Sequence, residues 1–314
     1  MAGFPAQQDG VLYLTEGGQE TEAMYRHGHD LPEFALFALL DRPDGLAALR
    51  QMYASYLDTA AATGSVPLIG GLDYRVSPDW VSRLGLSVED IPALEERCID
   101  FLREVAEPYR DRVATILYAG IVGPWGDAYT AASQMTADEA ADYHSPQVSA
   151  MAAVGVDLVE AMTFGSVEEA IGVARAAYAV GLPSSVSFTL GSDHRLLGGA
   201  TLREAIEAVD REAGDARPDF YGINCSHPLE FEPALEPGDW VERIRILRPN
   251  ASSKEKVALC QIGHLEEGDP PALGALMGGL ARRYPHLDIW GGCCGTWDTH
   301  LGLIARAVDQ TRAS

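Results

Sequence analysis

VDLVEAMTFGSVEEAIGVARAAYAV, residues 156–180, holds a strand and a helix with almost nothing between them. The run 156–164 is apolar with few interruptions, as a strand covered on both faces must be; strict alternation would mark a half-solvated one. Ser166 stands three residues before Glu169, a helix-start signature for the apolar-periodic stretch 167–180. Working outward, similar runs recur at 11–18 (VLYLTEGG), 66–74 (VPLIGGLDY), 113–124 (VATILYAGIVGP), 184–190 (SSVSFTL), 219–226 (DFYGINCS), 256–263 (KVALCQIG) and 287–295 (LDIWGGCCG). Helical periodicity fills 44–63, 88–109, 136–154, 201–213, 238–247, 271–283 and 297–310, with Ser87, Thr136 and Thr201 as further N-caps. Strand then helix, eight times over, predicts an α/β fold: a single (β/α)8 TIM barrel in which residues 1–314 form one domain.

The composition agrees with a packed barrel. Of 314 residues, 47% are hydrophobic and 22% charged, enough apolar material for a sizeable core. Lys and Arg total 23 against 46 Asp and Glu, and a net charge of −23 argues against nucleic acid or an anionic membrane as partner. The N-terminal MAGFPAQQDG has neither a cationic nor an apolar leader segment, and no apolar run reaches the ~18 residues of a membrane span. A cytoplasmic protein is expected.

In such a barrel, function gathers at the C-terminal ends of the strands. Those ends carry Glu16, Gly17 and Gly18; Asp73 and Tyr74; Gly123 to Trp125; Glu160 and Met162; Asn224 and Cys225; Gln261 and His264; and Gly291 to Gly295. Five cysteines, Cys98, Cys225, Cys260, Cys293 and Cys294, make an odd count in a chain too large to need a disulfide framework, so free or metal-bound thiols are expected. The barrel brings Cys225, ending the sixth strand, to Cys293 and Cys294, ending the eighth. Adjacent cysteines on a regular strand face opposite ways, so the pair can share one ion only if the chain leaves strand geometry there, which Gly291, Gly292 and Gly295 permit.

Three thiolates suit Zn2+ and leave its fourth position open. Two rival readings stay open: a closed structural site completed by Cys260 or Cys98, and thiols without metal. An ion with three thiolates is a poor generator of hydroxide but a good holder of a substrate thiol, whose pKa of ~8.5 coordination would lower. Thiol alkylation is the chemistry implied, with an activated methyl on a sulfonium or quaternary ammonium centre as the simplest electrophile.

At these residues the chain resembles the homocysteine S-methyltransferase family, which includes betaine- and S-methylmethionine-dependent enzymes. GGCCGT (291–296) and GINC (222–225) resemble its two zinc-ligand motifs, 16–21 its opening DGGxGT segment, 120–124 its GSxGP loop, and 156–170 its fourth strand and following helix. The resemblance implies a zinc-dependent methyltransferase of methionine biosynthesis, with Cys225, Cys293 and Cys294 as zinc ligands and homocysteine as acceptor. Its partners would be small molecules, a thiol and a cationic methyl donor. The donor, the oligomeric state and any separate corrinoid partner are not specified by it.

The departures concentrate on the amino-acid site. Glu16 replaces the family's Asp, Ile121 the serine of GSxGP, and GGLDY (70–74) its TTNTY run; CQIGHLEEGD (260–269) stands where a PNSGE-like run is expected. The glutamate taken to bind the homocysteine ammonium aligns with Met162, and Glu160 lies two residues earlier on the same strand face. Another thiol or selenol acceptor, or a zinc- or thiol-binding protein without turnover, are the alternatives. Glu16, Gly17, Asp73, Tyr74, Trp125, Glu160, Met162 and Asn224 are the candidate substrate-binding residues. Glu16, Asp73 and Glu160 would line the mouth with negative charge, Trp125, Tyr74 and Phe164 would cage a cation, with Tyr221 more at home in the core, and Asn224 would support a sulfur or ligand. His227, His264 and His300, and the 193–195 Asp-His-Arg cluster, are lesser candidates.

Overall fold

A computed structural model describes residues 3–129, 133–254 and 263–312. Eight parallel strands close into a barrel in sequence order: β1 Tyr13–Leu14, β2 Val66–Ile69, β3 Leu117–Val122, β4 Leu158–Phe164, β5 Ser184–Phe188, β6 Phe220–Asn224, β7 Ile244–Arg248 and β8 Ile289–Trp290, with β8 pairing back to β1. This is the (β/α)8 barrel expected. Helices Pro43–Thr63, Ile91–Ala106, Ala137–Val154, Val167–Val180, Leu202–Ala213, Pro270–Arg283 and Asp298–Arg312 wrap it. Thr136, Ser166 and Thr201 cap their helices by accepting from the backbone N–H of Glu139, Glu169 and Glu204.

Two apolar layers hold the barrel together. Tyr13, Leu68, Ala119, Ile121, Leu158, Met162, Phe220, Ile246 and Ile289 fill its interior, while a larger cluster packs the outward strand residues against the helices. Both faces of every strand are therefore covered, which is why these segments read as continuous apolar runs.

The seventh strand corrects the sequence reading. The barrel takes Ile244–Arg248 as β7, within the stretch 238–247 expected to be helical, where only a 3-10 turn, Asp239–Arg243, precedes it. Of the expected strand 256–263, all but Gly263 lie outside the described residues. Two arginines in IRILR imitate the polar face of a helix, but both are buried by pairing: Arg245 with Asp288 at 2.5 Å, Arg248 with two carboxylates inside the barrel. The corrected register also puts Pro249 and Asn250 directly after β7, so the opening of the PNSGE-like run occurs there and not at 260–269.

Candidate functional site

β6 ends at Asn224, and Cys225 adopts φ +52° immediately afterwards. A non-glycine residue there stores roughly 1–3 kcal/mol of strain, offset by surrounding contacts. β8 ends at Trp290, after which the chain leaves strand geometry: Cys293 N donates to Pro249 O (2.8 Å), Thr296 N to Cys293 O (3.1 Å), and Gly295 turns at φ +80°. Gly18 accepts this turn at van der Waals contact, since a Cβ there would stand 2.4 Å from Cys293 O. The result is a cluster in which the sulfurs of Cys225, Cys293 and Cys294 all lie within 4.8 Å of one another.

The state of those sulfurs corrects the expectation of free thiols. Cys225 and Cys293 are joined in a disulfide and Cys294 remains a thiol, with Cys225 Sγ and Cys294 Sγ 3.8 Å apart. The strand ends place the Cys225 and Cys293 Cα atoms 5.3 Å apart, inside the bridging range. Two-electron reduction would return three thiols as one donor set, and that set fits a thiophilic metal ion. Among the described residues no histidine joins the cluster. Instead His227 Nδ1 accepts from Leu229 N, His300 Nε2 lies 2.9 Å from Glu267 O, and His264 lies 3.9 Å from Glu266. Cys98 is buried in helix Ile91–Ala106, and Cys260 and Gln261 lie outside the described residues.

A cavity of about 220 Å3 opens beside the cysteines, with Gly17, Tyr74 and Met162 among its walls. The predicted anionic lining is not there. Glu16 and Glu160 are fully buried beneath the cavity and share Arg248, whose Nη2 is 3.2 Å from Glu16 Oε2 and whose Nη1 is 3.3 Å from Glu160 Oε2. Burial pushes the Glu16 carboxyl up to about 7, against the pull of Arg248 and a short hydrogen bond from Gly70 N. Burial raises Glu160 as well. Arg248 itself faces the cavity and is not among the residues expected from the sequence; alternation of arginine with isoleucine and leucine in IRILR is the signal for it.

Asp73 is also buried, accepting from Ile121 N at 3.0 Å and hydrogen-bonded to Glu95, whose carboxyl receives Gln147 Nε2. Burial drives both carboxyls up, Asp73 to about 7 and Glu95 well above its ordinary range, so the pair keeps a proton. The unfolded chain releases its carboxyl protons near pH 4 while the folded pair retains its own, so this pair loses the protein stability as pH rises from about 4 to 7. Glu95→Gln, which removes one of the raised carboxyls, is expected to shrink the drop in Tm between pH 5 and pH 8; an undiminished drop would count against the shared proton.

The aromatic cage does not assemble. Trp125 is 40% exposed and outside the cavity wall, Phe164 packs against His144, and Tyr221 donates to Asp210, which leaves Tyr74 from that set, joined by Phe34 and Tyr129. Asn224 is beneath the cysteines: its Oδ1 accepts from Thr163 N (2.8 Å), and its Nδ2 donates to Thr163 Oγ1 (2.9 Å) and approaches Cys293 Sγ (3.9 Å). It ties the strained end of β4, where Thr163 has φ +68°, to the sulfur cluster. Asn250 Nδ2 adds a hydrogen bond to Cys225 O at 3.1 Å. The 193–195 cluster is a turn, with Arg195 N donating to Asp193 Oδ1.

No helix among the described residues is long and apolar enough to cross a membrane. No curated protein sequence matches the chain. Among solved structures, homocysteine methyltransferase MmuM from Escherichia coli superimposes in its oxidized form with a TM-score of 0.76 at 22% identity, covering 95% of this chain and 96% of that one. Its metallated form gives 0.70 at 21% identity, with 96% of each chain covered. At such identities the likeness concerns the fold. The family assignment comes from the sequence model of homocysteine S-methyltransferase, which matches residues 13–308. The protein is a methyltransferase, and the chain belongs to the homocysteine S-methyltransferase family.

Proposed function

We propose that the protein transfers a methyl group from a sulfonium or quaternary ammonium donor to the thiol of homocysteine, giving methionine, with zinc held by Cys225, Cys293 and Cys294. The observation that carries this reading is the convergence of three cysteine sulfurs within 4.8 Å on the wall of a small cavity. When bound, zinc would lower the pKa of an acceptor thiol so that it reacts as a thiolate at neutral pH. The acceptor sulfur attacks the methyl carbon in line; the new S–CH3 bond forms as the bond to the cationic sulfur or nitrogen breaks. The leaving group departs as a neutral thioether or tertiary amine with the electron pair, and the thiol proton goes to solvent.

The chain's own residues supply position and dryness. Asn224 and Asn250 hold the loops that present the cysteines, while Gly17, Tyr74 and Met162 close the cavity around the reacting sulfur. Glu16 and Glu160 are buried beneath it and share the one guanidinium of Arg248, so neither is free to bind a substrate ammonium. A reducing cytoplasm would keep the three thiols available.

The test begins by reducing the protein and loading it with zinc. One equivalent of bound metal by elemental analysis, together with methylation of homocysteine by S-methylmethionine, betaine or dimethylsulfoniopropionate, is expected. Absence of metal from the reduced protein would refute the reading. Metal and thiol binding without turnover for any pair would instead make the barrel a zinc- or thiol-binding protein.

A further inference from the structure

We infer that Arg75 and Glu20 form a clamp for the head group of an α-amino acid, Arg75 taking the carboxylate and Glu20 the ammonium, in the cavity beside the three cysteines. The inference deepens the methyltransferase reading and rests on it.

Arg75 follows β2 in the turn after Asp73 and Tyr74, is 8% exposed, and lines the cavity. Its guanidinium carbon stands 3.8 Å from the centroid of the Trp80 ring and 4.8 Å from that of Tyr74. Stacking of this kind fixes the plane of the group without using its N–H donors. Nε and Nη1 are shielded from solvent and have no hydrogen-bond partner. A buried guanidinium with orphaned donors is costly unless a ligand completes it, and a carboxylate can accept from Nη1 together with Nη2 across the end of the planar group.

Glu20 lines the same cavity and has no ion-pair partner within 4.0 Å among the described residues. It occupies the fifth position of EGGQET (16–21), where the DGGxGT pattern has glycine, so this chain adds a carboxylate to the wall. Met162 removes one from β4, and Glu160 is committed to Arg248. Of the other charged groups on the cavity wall, Arg248 is spent on Glu16 and Glu160, and Asp127 Oδ1 accepts from Tyr129 N. Arg75 and Glu20 remain, a cation and an anion near enough to attract each other but not joined in an ion pair within 4.0 Å among the described residues, as a zwitterion placed between them requires.

Both the acceptor homocysteine and the donor S-methylmethionine carry this head group. Steady-state kinetics on reduced, zinc-loaded enzyme separate them, using homocysteine, 3-aminopropane-1-thiol (no carboxylate) and 4-mercaptobutanoate (no ammonium), each with S-methylmethionine and with betaine. Arg75→Met is expected to lower kcat/KM for homocysteine about 100-fold while changing that for 3-aminopropane-1-thiol by less than about threefold. Glu20→Gln should do the same with 4-mercaptobutanoate as the insensitive acceptor, and Arg75→Lys, which keeps charge but loses the fork, should fall between. If the clamp holds the donor, KM for S-methylmethionine rises in the variants, that for betaine does not, and acceptor preference is unchanged. Each variant's zinc content and Tm establish that it is folded. Wild-type ratios for every acceptor and donor in both variants would overturn the clamp and leave the methyltransferase reading standing; no transfer to any thiol by the wild type would overturn both.

Discussion

Cys294→Ser is expected to abolish metal binding and, with it, methyl transfer. The three sulfurs lie within 4.8 Å of one another, reduction of the Cys225–Cys293 bond would make them one donor set, and removing one would leave two thiolates that cannot enclose the ion. Loss of an outer-shell partner already costs about 10- to 100-fold in metal affinity or activity, so loss of a direct ligand should exceed the upper figure. Bound zinc and turnover should fall together in Cys294→Ser and Cys225→Ser. Cys98→Ser should retain metal, because Cys98 is buried within a helix away from the cluster. Cys260→Ser separates an open three-thiolate site from a closed four-thiolate one: retention of zinc supports the former, and loss as complete as in Cys225→Ser would refute it. Metal uptake should also depend on reductant, because the Cys225–Cys293 disulfide holds two of the three donors.

The second large effect belongs to Arg248→Met. Three charged groups, Arg248, Glu16 and Glu160, are 3% exposed or less and depend on each other inside the barrel. Taking the cation away leaves two buried carboxylates without a counterion, a change of the kind that costs about 3–5 kcal/mol. For a chain this long, a drop in Tm of roughly 5–15 °C follows. The loss should grow with pH, since burial already raises both carboxyls and removal of Arg248 takes away the charge that lowers them. Adding Glu160→Gln to Arg248→Met should recover part of the stability. A variant as stable as the parent at pH 8 would mean that the triad is not held as the structure shows it.

Much of the fold was legible because burial on both strand faces leaves a local mark. Seven strand positions and the long helices follow from apolar runs, capping residues and glycine, all of which act within a few residues along the chain. β7 was not legible by the same signal, because Arg245 and Arg248 break the apolar run and their burial depends on partners elsewhere in the chain: Asp288 is 43 residues from Arg245, and Glu16 is 232 from Arg248. The same non-local pairing sets the place of the PNSGE-like run and of Arg248 between Glu16 and Glu160.

The cysteine cluster was legible for a different reason. A Cys-Cys pair between glycines is informative in itself, and the barrel topology then brings one further cysteine, 68 residues away, to the same mouth. The amino-acid end of the cavity was not. Glu16 and Asp73 follow strand ends as expected, whereas Glu160 lies inside β4 and not at its end, and the fold buries all three beneath the wall, while Arg75 and Glu20, in a turn and a short helix, reach it.

By itself, then, the sequence determined seven of the eight strands, the barrel they imply and the meeting of Cys225 with Cys293 and Cys294, because periodicity and strand ends are properties of chain position. Only the tertiary structure decided which charges are spent and which are free. A carboxylate's role depends on whether a guanidinium lies within about 3–4 Å, and in this barrel that neighbour is set by strand register across the interior, which no local pattern along the chain records.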